Sequence, residues 1–220
     1  MSRPLAPIIQ PDAIETESFR IIDAEMGPHD FSVLEWPIVQ RAIHSTADFE
    51  LGRSLVFHPR AVEAGLAAIR KGADIVADVQ MIQAGISAAY LAEFGGRVRC
   101  YMADPDVAMQ ARAEGTTRAI QCMRKAVREA PGAIYAIGNA PTALLELVRL
   151  VEDGEADPAL VIGVPVGFVS AAESKLQLER QGVVPYITNR GRKGGTPVAV
   201  SITNALLRMA RGRAAAERPS

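Results

Sequence analysis

Residues 133–164 decide the fold of this chain, and they read AIYAIGNAPTALLELVRLVEDGEADPALVIGV. Two apolar runs, 133–138 and 160–164, flank a segment whose apolar residues recur at helical spacing. Each run is continuous rather than alternating, which indicates a strand covered by helices on both faces. The segment between them opens on Asn139 and Pro141, which are favourable at a helix start. The stretch therefore predicts a strand, a helix and a second, parallel strand.

The same pattern extends to both sides of this stretch. Further strands are predicted at 74–79 (DIVADV), 98–102 (VRCYM) and 184–188 (VPYIT). Helices are predicted between strands, one of them beginning after Asp104, and a helix before the first strand begins after Pro59 and ends before Gly72. Strands that alternate with helices through right-handed crossovers predict an α/β fold, a three-layer α/β/α sandwich around a parallel sheet.

About the first seventy residues are predicted to be helical and to lie outside this alternation. Ser32 and Glu35 match a capping box, with apolar residues near helical spacing after them. Pro37 either places the helix start at about Trp36 or kinks the first turn, and the sequence leaves both open. Because no internal repeat or linker occurs, a single domain is predicted over 1–220, with flexible ends at about 1–12 and 209–220.

Composition argues against several classes of partner. The chain has 24 basic and 25 acidic side chains, so its bulk charge predicts no nucleic-acid and no membrane-surface partner. Its two cysteines, Cys100 and Cys122, lack metal-ligand spacing, so no metal site is predicted. The sequence shows no signal-peptide pattern and no segment near the roughly 20 apolar residues of a membrane span, so a cytoplasmic location is predicted.

Ligands of an open parallel sheet bind beyond the carboxyl ends of its strands. This rule selects five loops, which contain Asp78 with Gln80, Asp104, Gly138 with Asn139, 165–168 (PVGF) and 188–195 (TNRGRKGG). Two of them are rich in glycine, which lets backbone N–H groups approach an acidic ligand closely. Neither loop has the spacing of a nucleotide-binding motif. Arg190, Arg192 and Lys193 fit either a solvated turn or an anion-binding loop, and this choice stays open.

Three histidines are candidates for proton transfer near neutral pH: His29, His44 and His58. His29 and His58 are predicted to lie in loops. His44 is predicted to end a helix and is followed by residues 45–48 (STAD), a small polar turn that could present the ring to a pocket. A structural role stays open for all three, and His44 is the favoured acid or base.

Segments spread along the chain occur in a specific order: IETESFRII, IHSTADFE, ADIVADVQMIQAGI, EGTTRA, AIGNAPTALLELVRL, GVPVGFVSAAESK and NRGRKGGTPVAVSITNALL. Taken singly, several of these strings are ordinary. Together they cover about residues 14–207, and the series GNAPTAL, GVPVGFV and GRKGG is highly specific. In this order the segments resemble those of the precorrin-8X methylmutases and their cobalt-dependent relatives.

The resemblance implies a flavodoxin-like sheet of five strands in the order 2-1-3-4-5 and a homodimer whose active sites draw on both subunits. It implies an isomerase of cobalamin biosynthesis that moves a methyl group on ring C, converting precorrin-8X to hydrogenobyrinate without a cofactor. Cobalt-precorrin-8 is the alternative substrate, and a non-catalytic corrinoid carrier is the alternative of a different class. Hand-over of the product to the next enzyme of the pathway is a further expectation.

The resemblance also assigns site residues, position by position. His44 corresponds to the family's proton-transferring histidine. The expected substrate-binding positions are Thr16, Ser18, Thr117, Arg118, Gly138, Asn139, Val166, Gly167, Arg190, Arg192 and Lys193. Further expected contacts are Lys175, the free N–H groups near Asp104 and Pro141, and the apolar side chains of Met81, Ile82, Val166 and Phe168, which fit core packing equally well. Pro37 departs from the family's more usual acidic or polar residue, which puts the shape of its helix in doubt.

Overall fold

The sheet holds the molecule together in the computed structural model, which describes residues 11–216 and the side chains of 13–212. Its six strands lie in the spatial order β1-β6-β5-β4-β2-β3. Their bounds are β1 Leu55–Phe57, β2 Ile75–Ala77, β3 Val98–Arg99, β4 Ile134–Ile137, β5 Leu160–Gly163 and β6 Tyr186–Asn189. Strands β2 to β6 pair in parallel, whereas β1 pairs antiparallel with β6.

The predicted α/β class is confirmed, with one correction to the sheet. The five predicted strands are β2 to β6, and they lie beside one another in the predicted relative order. The predicted number of strands is wrong, because β1 adds an antiparallel edge within the region predicted to be helical. This strand has only three residues. It is a strand because it pairs with β6, where Leu55 lies opposite Asn189. A run this short does not show the residue periodicity from which a strand can be predicted.

The helices form two layers, one on each face of the sheet. Their bounds are α1 Pro11–Met26, α2 Trp36–Thr46, α3 Phe49–Arg53, α4 Ala61–Arg70, α5 Gln80–Gly85, α6 Ala88–Ala92, α7 Pro105–Ala113, α8 Arg118–Glu129, α9 Pro141–Glu152, α10 Ala171–Gln181 and α11 Thr196–Ala216. Helices α1 to α6 and α11 bury their apolar side chains in one core, and α7 to α10 in the other.

Alternate residues of each central strand supply the two cores. Ile134 and Ala136 of β4 belong to the core beneath α11, whereas Tyr135 and Ile137 belong to the core beneath α8 and α9. Successive strand side chains point to opposite faces, so a strand covered on both sides must be apolar throughout. The continuous apolar runs in the sequence have this physical cause.

The start of α2 resolves the alternative that Pro37 left open. The helix begins at Trp36, with the proline in its first turn, where no intrahelical N–H partner is lost. The Ser32 N–H donates to Glu35 Oε2 at 2.8 Å, and the Glu35 N–H donates to Ser32 Oγ at 3.3 Å. These reciprocal hydrogen bonds are those of the predicted capping box.

The predicted flexible ends are only partly within the described residues. Residues 1–10 and 217–220 lie outside them, whereas 11–12 belong to α1 and 209–216 continue α11 as helix. Within residues 11–216, no helix is both long enough and apolar enough to cross a membrane.

Asp78 joins two strands at the carboxyl edge of the sheet. It follows β2, is fully buried, and accepts hydrogen bonds from the N–H groups of Gly138 at 3.2 Å, Asn139 at 2.9 Å and Ala140 at 2.8 Å. Burial raises the pKa of its carboxyl group, while the three N–H donors act in the opposite direction. The three N–H groups that precede Pro141 are therefore taken up by the protein itself and are not available to a ligand.

Replacing Asp78 by alanine should destabilise the fold strongly. The Asp78→Ala variant would leave three N–H groups without their acceptor, at a cost of about 3 kcal/mol in the free energy of unfolding. Urea denaturation followed by circular dichroism measures this change. Asp153→Ala, which removes an exposed partner of Arg149, is the control and should cost less than about 1 kcal/mol. Equal losses in both variants would contradict the role given to Asp78.

Candidate active site

His44 lies in the last turn of α2 and is exposed. The helix ends where Ala47 adopts a left-handed conformation, with φ of 52°. Edge-on contact with Phe19 of α1 places the two ring centroids 5.4 Å apart. The imidazole lines a cavity of about 390 Å³. The other lining residues are Glu15, Arg41, Ser45, Ser87, Tyr90, Ser201, Asn204 and Arg208.

Positive side chains outnumber negative ones in this cavity. Arg41 donates to Glu15 Oε1 at 2.7 Å, and its guanidinium lies 5.1 Å from the centroid of the Phe19 ring. The hydrogen bond from Arg41 holds the pKa of Glu15 below its usual value, with smaller contributions from the charges of Arg208 and His44. Arg208 makes no ion pair with any described residue. Its free charge favours an anionic ligand beside His44.

Thr16 and Ser18 lie on α1, the helix that also carries Phe19. Thr16 is exposed, and Ser18 is partly buried, with its hydroxyl donating to the Ile14 carbonyl at 2.8 Å. Because α1 packs against α2, these residues belong to the same helical layer as His44. Their predicted contact with a substrate stays a prediction.

Two loops meet at the carboxyl edge of the sheet. The Gly195 N–H donates to the Val164 carbonyl at 2.8 Å, and the Gly167 N–H donates to the Arg192 carbonyl at 3.2 Å. Gly138 lies against them so closely that a Cβ atom there would be 2.8 Å from the Gly195 carbonyl oxygen. Only glycine fits this contact, which brings three of the predicted loops together.

The apolar side chains expected at this edge divide into two groups. Met81 is 69% exposed, Val166 48% and Phe168 85%, so all three are available to a ligand. Ile82 is fully buried in the core formed with α1 to α6 and α11. This corrects its expected contact with the macrocycle.

The cations of the last loop are engaged in different ways. Arg190 pairs with Glu179 at 2.6 Å, and Lys193 pairs with Asp48 at 2.6 Å and with Glu50 at 2.8 Å. The hydrogen bond from Lys193 lowers the pKa of Asp48. Asp48 lies four residues after His44, so Lys193 ties this loop to the turn that follows the histidine.

Arg192 has no ion-pair partner among residues 13–212, and its guanidinium lies 5.7 Å from the centroid of the exposed Phe168 ring. Of the three cations in the loop, it is the one left available to an outside anion. Asn139 is also exposed at this edge, whereas Gly138 is buried.

Lys175 lies beneath the loops and does not face a ligand. Its side chain is 1% exposed, and its ammonium donates to the Lys193 carbonyl at 2.6 Å and to Asn189 Oδ1 at 3.2 Å. Burial lowers its pKa to about 8. Direct pairing with substrate carboxylates, which was expected of Lys175, is not possible from this position.

Thr117 and Arg118 lie in the opposite helical layer from His44. Thr117 caps α8 by accepting from the Ile120 N–H at 3.2 Å, and Arg118 is exposed at the first position of that helix. Arg118 lines an open cavity of about 510 Å³ together with Arg112. Within one chain, the structure therefore does not bring Arg118 into the cavity of His44.

Several residues that surround His44 were not predicted from the sequence. Arg41 could have been found, because a residue three positions earlier on a helix shares a face with the histidine. Glu15, Tyr90, Asn204 and Arg208 come from three other helices, and no local pattern indicates that they meet. In the described part of the chain, no group of three or more His, Cys, Asp or Glu side chains is arranged to hold a metal ion.

Fold and site together define a class of protein. This is an α/β sandwich of the flavodoxin-like kind, with a histidine capable of acid–base chemistry in a cationic cavity and an exposed apolar edge above its parallel strands.

Comparison with known proteins identifies the family. Residues 13–209 match the family described as precorrin-8X methylmutase. The cobalt-precorrin-8 methylmutase of Priestia megaterium is 57% identical over 198 residues, covering 90% of this chain and 88% of that protein. The precorrin-8X methylmutase of Sinorhizobium sp is 38% identical, covering 90% of this chain and 94% of that protein.

A solved structure agrees with these relatives. The precorrin-8X methyl mutase of Thermus thermophilus superposes with a TM-score of 0.84 at 48% identity, covering 92% of this chain and 97% of that one. This chain therefore belongs to the precorrin-8X methylmutase family. It is a methylmutase of cobalamin biosynthesis, an isomerase that moves a methyl group within one molecule.

Breaking the tie between Lys193 and Asp48 should lower turnover with little loss of stability. Lys193→Met removes two exposed ion pairs, which contribute little to stability in solvent, so the thermal unfolding midpoint should change little. Loss of the correct position of His44 should lower kcat about tenfold. Steady-state kinetics and thermal unfolding measure the two effects.

Asp48→Asn is the matched variant, since asparagine can still cap α3. If Lys193 ties down the turn, this variant should lower kcat as well. If instead Lys193 binds the substrate, releasing it from Asp48 should lower KM, and that result would contradict the tie.

Proposed function

We propose that this chain catalyses the methyl shift on ring C of a precorrin-8 macrocycle, with His44 as proton donor and acceptor. The observation that supports this role is the position of His44, exposed on the wall of a cavity that also holds Arg41 and Arg208. A donor in this position can reach a ligand held by its carboxylates.

The chemistry requires one positioned acid. Protonating a nitrogen of ring C, or hydrogen-bonding to it, withdraws electrons from the conjugated ring and lowers the barrier to migration. The bond from the methyl group to one ring carbon breaks as the bond to its neighbour forms, so no methyl donor or redox partner is consumed. The proton returns to His44 when the shift is complete, and the enzyme is regenerated. General acid catalysis of this kind contributes roughly 10² to 10⁴ in rate.

Substrate binding divides between charge and apolar contact. The acetate and propionate carboxylates of the macrocycle would pair with Arg118, Arg192 and the cations near His44. The apolar ring face would lie on Met81, Val166 and Phe168, which are exposed at the carboxyl edge. Thr16, Ser18 and Asn139 would complete the polar contacts.

A homodimer is part of this proposal. His44 and Arg118 line different cavities of one chain, in opposite helical layers, so a second copy is needed if both are to contact one substrate. A cavity of about 390 Å³ also encloses only part of a tetrapyrrole with its acid side chains. We place the enzyme in the cytoplasm, where it would pass its product to the next enzyme of the pathway.

The presence of cobalt in the substrate separates two candidate reactions. Cobalt-free precorrin-8X is the substrate that the sequence resemblance places first. The more similar of the two curated relatives is named for cobalt-precorrin-8 and the less similar one for precorrin-8X, which favours the cobalt-containing substrate. The methyl shift is the same in both cases.

Incubation with each substrate in turn decides between them. Absorption spectra should show conversion of cobalt-precorrin-8 to cobyrinate with a kcat/KM higher than that for conversion of precorrin-8X to hydrogenobyrinate. A higher kcat/KM with precorrin-8X would restore the cobalt-free assignment. Conversion of neither substrate would contradict the proposed function.

Replacing His44 should abolish turnover and leave binding intact. In His44→Gln the proton donor is lost while a polar side chain of similar size remains, so kcat should fall at least about 10²-fold. The spectral change on product formation measures turnover, and a titration with hydrogenobyrinate measures binding. Full turnover in this variant would exclude His44 as the acid, and tight binding by a wild-type protein without turnover would favour the corrinoid carrier.

His58→Gln is the control for this experiment. His58 follows β1 and lies beside the amino end of β6. Its backbone N–H donates to the Tyr186 carbonyl at 2.9 Å, and its ring nitrogen accepts from the Arg60 N–H at 3.1 Å. Turnover in the control should equal that of the wild type.

A further inference from the structure

The loop after β6 is built around a buried ammonium group. Lys175 projects from α10, and its two acceptors, the Lys193 carbonyl and Asn189 Oδ1, both belong to this loop or to the strand end before it. Asn189 is fully buried and donates in turn to the Lys193 carbonyl at 2.8 Å and to the Arg190 carbonyl at 3.3 Å. The path of the loop is therefore fixed from below.

The charge of Lys175 has no counterion within the described residues. The neighbouring carboxylates are engaged elsewhere, Glu179 with Arg190 and Asp48 with the side chain of Lys193. A buried cation without a partner costs free energy, and here burial lowers the pKa of the ammonium to about 8. A neutral donor could make the same two hydrogen bonds at a lower cost in free energy of burial. The two hydrogen bonds alone therefore do not explain why a charged side chain occupies this position.

The loop that Lys175 holds also fixes the other loop at the edge of the sheet. Hydrogen bonds from Gly195 to Val164 and from Gly167 to Arg192 join the two. Between them these loops carry Arg192 and the exposed Val166 and Phe168. A displacement of the loop after β6 would therefore move the surface on which the substrate is proposed to lie.

We infer that Lys175 is a positioning residue for substrate binding, whose buried positive charge fixes both loops and makes the binding of an anionic macrocycle dependent on its protonation. This inference rests on the proposed function. The ammonium needs no direct contact with the substrate, because it acts through the loop and through its field in a poorly solvated position.

The sign of the effect follows from linkage. Near pH 7 the free protein carries the proton on Lys175, and bound carboxylates stabilise that charged form. Above pH 8 the free protein loses the proton and must take it up again to bind, so affinity falls as pH rises.

Two of the other groups around Lys175, Tyr186 and Lys193, have pKa values raised away from this range. Arg190 and Arg192 stay protonated. Burial raises the pKa of Tyr186, and the hydrogen bonds that Lys193 donates to Asp48 and Glu50 raise the pKa of Lys193. The carboxylate of Glu179 is paired with Arg190.

The test is the affinity of the full chain for hydrogenobyrinate, measured by absorption titration at about pH 7 and at about pH 9.5. Wild-type affinity should weaken about fivefold to tenfold over this range. In Lys175→Met the dissociation constant should be independent of pH and about tenfold higher than that of the wild type at pH 7. In Lys175→Arg, which keeps its charge throughout, it should be independent of pH and close to the wild-type value at pH 7.

Lys71→Met is the control, because Lys71 is exposed and follows α4. This variant should reproduce the wild-type pH dependence. The terminal amine is common to all variants, so its titration cannot cause a difference between them. An affinity of the wild type that does not change with pH would overturn the inference, and so would equal pH dependence in wild type and Lys175→Met. If circular dichroism shows that Lys175→Met does not fold, the comparison of wild type with Lys175→Arg gives the same decision. A wild-type protein that binds no corrinoid at any pH would overturn the proposed function as well, which distinguishes the two failures.

Discussion

Two buried ionisable side chains, each hydrogen-bonded to a loop, hold the carboxyl edge of the sheet, and the candidate site depends on them. Asp78 is surrounded by N–H donors from the turn after β4, and Lys175 by oxygen acceptors at the end of β6 and in the loop after it. The two side chains are not paired with each other, and each fixes a separate loop. Removing either leaves buried polar groups without hydrogen-bond partners, which costs free energy. These hydrogen bonds therefore set the geometry of the edge.

This fixed edge is linked to the histidine. The side chain of Lys193 reaches Asp48 across 145 residues of sequence, and Asp48 belongs to the turn that ends the helix of His44. Helix α2 is held in addition by its packing against α11. The position of His44 thus depends on the same loop that Lys175 supports.

The distribution of charge agrees with an enzyme that binds a polyanion. Cations lie in the cavity of His44, at the first position of α8 and on the loop after β6, although the chain as a whole carries a net charge of −1. Local placement, and not bulk composition, provides the attraction for carboxylates. The separation of the cations near His44 from Arg118 is a consequence of the sandwich, since the sheet stands between the two helical layers.

The sequence by itself determined the parallel strands and the capping box at α2, because each depends on residues within a short stretch. Continuous apolar runs report burial on both faces of the sheet, and Ser32 with Glu35 reports a helix start. Only the tertiary structure decided that Leu55–Phe57 forms an edge strand, that Asp78 occupies the N–H groups before Pro141, and that Arg190 and Lys193 are paired with the protein's own carboxylates. Each of these depends on a residue that folding brings close from a distant part of the sequence. Such a contact cannot be predicted from the pattern of residues within a short stretch.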